Sequence, residues 1–230
     1  MANGGDGTVR IFDASSFASL GSVQLDEDAD NVRYDSATKR LLVGHGGGLS
    51  MIDVTTNKIV ADVPLKAHPE SLQLEKTGPR VFVNVPNAHQ VTVVDREQSK
   101  VTATWSVGLA AANFPMVFEE AHHRLIIGCR LPARLLVFNT DSGKEVAKLT
   151  LHDDCDDLFF DAANGQIYAS CGEGYIDVFT QTDSDHYVLK EAVQTEAKAR
   201  TCFVERDMLY LAVPKRGDRP AEVRCYRVGN

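Results

Sequence analysis

Val91-Thr92-Val93-Val94-Asp95, a short β-branched run closed by an acid, decides the reading of this chain because it returns five more times. Its counterparts are Val9-Arg10-Ile11-Phe12-Asp13, Leu49-Ser50-Met51-Ile52-Asp53, Leu135-Leu136-Val137-Phe138-Asn139, Ile176-Asp177-Val178-Phe179-Thr180 and Val223-Arg224-Cys225-Tyr226-Arg227. They begin at 9, 49, 91, 135, 176 and 223, in steps of 40, 42, 44, 41 and 47 residues. Several short strands per unit at a period near forty predict an all-β fold, a β-propeller of four-stranded antiparallel blades.

Working outward from Val91, the second complete unit resolves into strands A to D. Ser71 to Leu74 is strand A, Arg80 to Val83 strand B, Gln90 to Val94 strand C and Val101 to Val107 strand D. Turns separate them, rich in Gly, Pro, Asn and Asp. The A–B turns align as Asp35 to Arg40, Glu75 to Arg80, Glu119 to Arg124 and Asp161 to Gln166. The C–D turns align as Asp53 to Lys58, Asp95 to Lys100 and Asn139 to Lys144. An Asp or Asn opening a turn accepts a hydrogen bond from the backbone two residues on, so these corners need no functional explanation. No segment carries a sustained 3.6-residue apolar period, so almost no helix is expected.

Val91 to Trp105 resembles the V-S-V-I-D-x-x-T-x-K-V-V-A-T-I core of YVTN-type β-propeller repeats, a WD40-like group of bacterial and archaeal proteins. Arg80-Val81-Phe82-Val83-Asn84 resembles the R-V-Y-V-T-N that names the group. The resemblance covers nearly the whole chain and implies repeat type rather than activity. It implies rings usually of seven blades, a periplasmic or secreted location, and mostly no assigned enzymatic role. Asn139 and Thr180 depart from the corner Asp, and Lys215 to Glu222 is a longer loop than its counterparts.

One propeller domain is expected over 1–230, with repeats at about 1–29, 30–69, 70–112, 113–156, 157–199 and 200–230. Ala2 to Gly7 aligns with Ala169 to Gly174, the end of a B strand and its loop. The expected content is therefore a C and D pair, four complete units, then A, B and C: about five blades. Either the strand near Ser19 to Leu25 closes a five-bladed ring with the C-terminal strands, or the chain is a piece of a larger ring. An open ring would self-associate through its exposed edges.

Composition narrows the classes. Of 230 residues, 43% are hydrophobic, enough for a sizeable core. No apolar run approaches a membrane span of roughly 20 residues. No basic and apolar leader opens the chain, which leaves either a cytoplasmic protein or a leader already removed. The net charge of −8 and the few aromatics at loop tips argue against nucleic acid. Five cysteines without a C-x-x-C pair read as buried thiols, with a single disulfide among Cys129, Cys155 and Cys171 as the alternative.

Propellers bind ligands at the face formed by D–A and B–C loops, where residues forty apart in sequence meet. The anchors expected there are Asn31, His68, Glu70, Asn113, Asp157 and Arg200. They suit a non-enzymatic binding or scaffolding propeller recognising a protein, a peptide or a small polar ligand. The alternative is a metal-dependent hydrolase or lactonase-like enzyme with His68 and Glu70 as base and ligand. No cofactor is expected on the first reading. On the second, a divalent metal would draw on His68, Glu70, Asp156 and Asp157. Asp26-Glu27-Asp28 with Asp30, and Asp153 to Asp157, also read as solvated loops. Gly4 to Gly7 and Gly44 to Gly48 read as hairpin turns, since no helix follows to make a phosphate loop. Glu119 to His123 lacks the H-E-x-x-H order of a zinc helix and falls in an A–B turn.

Overall fold

The computed structural model describes residues 1–229, which form six antiparallel sheets of successive strands. They fall into two compact units, Met1–Ser106 and Val107–Asn230. In the first unit, the first sheet holds β1 (Ala2–Asn3), β2 (Thr8–Phe12) and β3 (Ser19–Gln24). The second holds β4 (Asp30–Asp35), β5 (Arg40–His45), β6 (Gly48–Asp53) and β7 (Lys58–Pro64). The third holds β8 (Leu72–Leu74), β9 (Arg80–Val85), β10 (Gln90–Asp95) and β11 (Lys100–Ser106).

In the second unit, the fourth sheet holds β12 (Ala111–Glu119), β13 (Arg124–Leu131), β14 (Ala133–Asn139) and β15 (Lys144–Thr150). The fifth holds β16 (Cys155–Asp161), β17 (Gln166–Cys171), β18 (Tyr175–Gln181) and β19 (Tyr187–Gln194). The sixth holds β20 (Thr201–Glu205), β21 (Met208–Val213) and β22 (Glu222–Arg227). These are four complete propeller blades flanked by two three-stranded ones. In the first sheet, β1 stands at the B-strand position that the alignment of Ala2 to Gly7 with Ala169 to Gly174 expects, beside the C and D pair. Strands β2 and β3 pair with each other, as Val9 with Val23.

Strands B and C of the complete blades are buried on both faces, and the D strands are largely exposed. That is why B and C read as near-continuous apolar runs, whereas the D strands Lys58–Pro64 and Lys144–Thr150 carry charge. Val9, Val23, Val43 and Ile52 pack the first blade on the second. Leu42, Met51, Leu72 and Val83 pack the second on the third. In the other unit, Ile126, Val137, Ile167 and Phe179 join the fourth and fifth blades. Tyr168, Ile176, Leu209 and Leu211 join the fifth and sixth.

Each of the five D strands carries one extra residue at the same place, namely Leu20, Val60, Thr102, Val146 and Lys190. A bulge bends and twists the outermost strand, which discourages edge-to-edge pairing with another chain.

The corners behave as turn chemistry dictates. Asp53, Asp95, Asn139 and Asp161 each accept backbone N–H bonds from two and three residues on. Asp35 accepts from Ala37 N and from the Thr38 hydroxyl. It also meets Arg96 Nε at 3.1 Å, both groups being buried, which locks the second blade to the third. Among the described residues, the helical segment assigned is the 3-10 turn Pro86–Ala88, and no helix is long and apolar enough to cross a membrane. All five cysteines are free, so the disulfide alternative is not realised. Cys155 faces Cys171 in register, and burial pushes the Cys129 and Cys202 thiols up to about 12.

Two outcomes follow from this packing. Phe179→Ala, at a fully buried position, should cost about 3–5 kcal/mol in urea unfolding. Lys144→Ala, on an exposed edge, should stay within about 0.5 kcal/mol. The Thr55 hydroxyl, then the Thr56 and Thr55 amides, lower Asp53 from 3.8 to about 2. A depressed carboxyl stabilises the fold above its unfolded value and loses that contribution as pH falls through its folded value. Asp53→Asn keeps the turn, as Asn139 does, and should flatten the acid limb of thermal melts between about pH 4 and pH 2.

Candidate functional site

The A strands enter their sheets irregularly. Asn31 is an extra residue between the pairs Asp30–Gly44 and Val32–Val43. Asp156 is extra between Cys155–Cys171 and Asp157–Ser170, and β12 shifts register between Asn113 and Met116. A one-residue insertion reverses which face the preceding side chains address, and so re-aims the residues at the loop end.

Counting five residues back from each A–B corner acid places Asp30, Glu70, Phe114, Asp156 and Arg200 at one repeat position. Counting seven back gives Asp28, His68, Ala112, Asp154 and Lys198. Four of those take left-handed backbone: Asp28 (φ 48), Ala112 (φ 55), Asp154 (φ 61) and Lys198 (φ 69). His68 does not, and Pro69 follows it, biasing it toward extended geometry.

In the first unit, β4 lies against β8, which brings two blades' loop ends together. Asp30, His68 and Glu70 each present one donor atom, all within 4.8 Å of one another, and all three residues are half-buried. His68 Nδ1 stands 3.7 Å from Asp28 Oδ2 and is shielded from solvent without a hydrogen bond. Asp30 Oδ1 accepts the Asn31 amide at 2.6 Å, which holds the carboxylate in place.

In the second unit, the same positions carry an ion network. Arg130 pairs with Asp156 and lies 3.3 Å from Asp154. Arg200 lies 2.6 Å from Asp154 and 3.5 Å from Asp156. The Arg130 guanidinium sits 4.3 Å from the Phe114 ring centroid, within cation–π range. A Cβ at Gly172 would stand 2.1 Å from Asp154 Oδ2, so a side chain there would push that carboxylate out of its place. The Asp154 bond, then the Asp156 and Asp154 charges, raise the Arg200 pKa above its ordinary value.

Two other constellations are structural in form. His45 Nε2 meets both Asp62 Oδ1 at 2.8 Å and Ser50 Oγ at 3.1 Å, while Ser50 donates to Asp62 at 2.8 Å. A nucleophilic relay needs the acid on one ring nitrogen and the hydroxyl on the other, so this is a hydrogen-bonded knot. His152 stacks on Tyr175 at 3.9 Å and meets Asp177 Oδ1 at 2.6 Å through Nδ1. Glu119 is buried and takes the His122 backbone and ring in its own turn, as a corner residue does.

The six anchors expected from sequence land as follows. His68 and Glu70 meet Asp30 in the first unit, and Asn31 is the bulge residue beside them. Asp156 and Asp157 belong to the second unit, where Asp156 is ion-paired and Asp157 Oδ2 accepts the Cys202 amide at 2.8 Å. Arg200 is 40% exposed in the ion network, and Asn113 is fully buried. Asp30, Arg130, Asp154, Asp156 and Phe114 are what the choice of anchors omitted. The signal for Asp30 and Phe114 was there in the constant offset from the corner acid.

No family model matches the chain, and no curated protein matches it. Solved structures do. A chain in the crystal structure of a mitotic checkpoint complex is similar over 98% of this chain and 70% of its own length, at 15% identity and a TM-score of 0.84. The hydrazine synthase of Kuenenia stuttgartiensis is similar over 89% of this chain and 67% of its own, at 10% identity and a TM-score of 0.77. Both are β-propellers, so the fold is established. Identities this low carry the fold alone.

Arg130→Ala should leave Asp154 and Asp156 sharing Arg200 as their remaining cation in this network. The expected destabilisation lies between the roughly 1 kcal/mol of an exposed pair and the about 3–5 kcal/mol of a buried one. Urea unfolding measures it, and a smaller effect in 1 M salt identifies it as electrostatic.

Proposed function

We propose that this chain is a non-enzymatic binding or scaffolding propeller whose D–A and B–C loop ends recognise a protein, a peptide or a small polar ligand. The observation that carries this reading is the Arg130–Asp154–Asp156–Arg200 network beside Phe114. It holds charged groups of both signs against an aromatic ring, in fixed positions, with Arg200 partly open to solvent. Groups already ordered lose less freedom when a partner arrives, so more of their interaction energy appears as affinity. Arg and aromatic side chains are also the commonest anchors of protein recognition.

The anchors divide by role. Arg200 contacts the partner directly. Asp157 fixes the backbone of Cys202 and so the start of β20, two residues beyond Arg200. Asn113 shapes the bend that carries Phe114. Asn31, His68 and Glu70 serve the first unit's loop end.

A peptide-display library panned on the immobilised full chain tests the reading, with enriched peptides measured by calorimetry. The expected result is a shared sequence pattern and micromolar affinity, weakened at least about tenfold by Arg200→Ala with native circular dichroism retained. Lys144→Ala, remote from the loop ends, should bind as wild type does. Absence of enrichment, or peptides that bind Arg200→Ala as tightly as wild type, would overturn the assignment.

A further inference from the structure

Two loop ends of one chain solve the same electrostatic problem differently. In the second unit, Asp154 and Asp156 are neutralised by Arg130, six residues past the start of its B strand, and by Arg200 at the head of the next A strand. The residues at the Arg130 position in the second and third blades are Gly46 and Pro86, and those at the Arg200 position are Asp30 and Glu70. The first unit thus assembles Asp28, Asp30 and Glu70 around His68, with no arginine at either equivalent place. Asp26 and Glu27 precede Asp28 and add further negative charge.

We infer that Asp30, His68 and Glu70 form a divalent metal site, in which a cation takes the part the arginines play in the other unit. Three donors already lie within 4.8 Å of one another. A tetrahedral ion such as Zn²⁺ holds N and O ligands at about 2.0–2.2 Å, which puts neighbouring ligands about 3.4 Å apart. Closure on the ion therefore needs the widest pair of donors to approach by up to about 1.4 Å, within reach of side-chain rotation. The imidazole Nδ1 is shut off from solvent and makes no hydrogen bond, its neighbouring carboxylate oxygen, Asp28 Oδ2, standing off at 3.7 Å; buried ring nitrogens ordinarily make one, which is an independent sign.

One imidazole with two carboxylates suits a borderline ion, Zn²⁺ above Mn²⁺ in affinity. Ca²⁺ demands six to eight oxygens and fits poorly. Three protein ligands leave positions open to water or to a ligand's own oxygen. The inference needs no partner at the second unit's network, and it stands or falls separately from the recognition role.

The test uses the full chain, stripped with a chelator and titrated calorimetrically with ZnCl₂, MnCl₂ and CaCl₂. One Zn²⁺ per chain is expected, with weaker Mn²⁺ and no Ca²⁺ binding. His68→Asn and Glu70→Gln, each checked for native circular dichroism, should each weaken Zn²⁺ by more than the roughly 10–100-fold that loss of a supporting contact costs. Asp30→Asn provides a third variant should either of these misfold. Zn²⁺ should raise the melting temperature of the wild type and not of the folded variants. No Zn²⁺ binding, or undiminished one-to-one binding in the folded variants, would overturn the site.

Discussion

A four-stranded sheet has two faces and no way to cover either alone. In both units, the buried side chains of one blade have partners on the next: Val9 with Ile52, Met51 with Val83, Val137 with Ile167, Tyr168 with Leu209. Everything else depends on this constraint. Strands B and C become apolar on both faces because each is sandwiched, and strand D carries the charge because it is not. Hydrophobic burial at about 25 cal/mol per Å² then operates across blade boundaries rather than within one sheet. Repeat proteins gain stability from nearest-neighbour interfaces of this kind.

That constraint leaves two ends of each blade free for other uses, and the chain treats them differently. At the A–B and C–D corners, acids are consumed by their own turns, and the Asp35–Arg96 pair is buried as a lock. At the D–A and B–C ends, charged side chains remain partly open and reach toward neighbouring blades. The same repeat position is Asp30 or Glu70 in one unit and Phe114, Asp156 or Arg200 in the other. A single backbone design thus supports an acidic cluster in one place and an arginine–aspartate network in another.

The architecture was legible in sequence because it rests on local, repeated signals. The period of the Val91-type strand and the corner Asp or Asn residues place nearly every strand. Even short β1 was visible, through the alignment of Ala2 to Gly7 with the strand end and loop at Ala169 to Gly174, although its two residues carry no alternation of their own. The loop ends were less legible. Alternation assigns faces only while pairing is regular, and the extra residues at Asn31 and Asp156 break it just where the candidate residues sit. Asn31 drew attention where Asp30 is the clustered side chain, and Asp157 where Asp156 is the ion-paired one. The approach of Asp30 to His68 is a meeting of two blades that single-strand patterning does not encode.

The entry bulges also bear on how such a chain can change over time. A residue inserted into regular pairing faces a core neighbour, and its replacement disturbs packing. A residue at an irregular entry has no opposite number in the ladder, so its charge and size are released from that obligation. The loop ends are consequently the place where copies of one ancestral unit could drift apart in chemistry while their interiors stayed interchangeable. Duplication would supply the scaffold, and divergence at a handful of doorway positions would supply each blade's individuality.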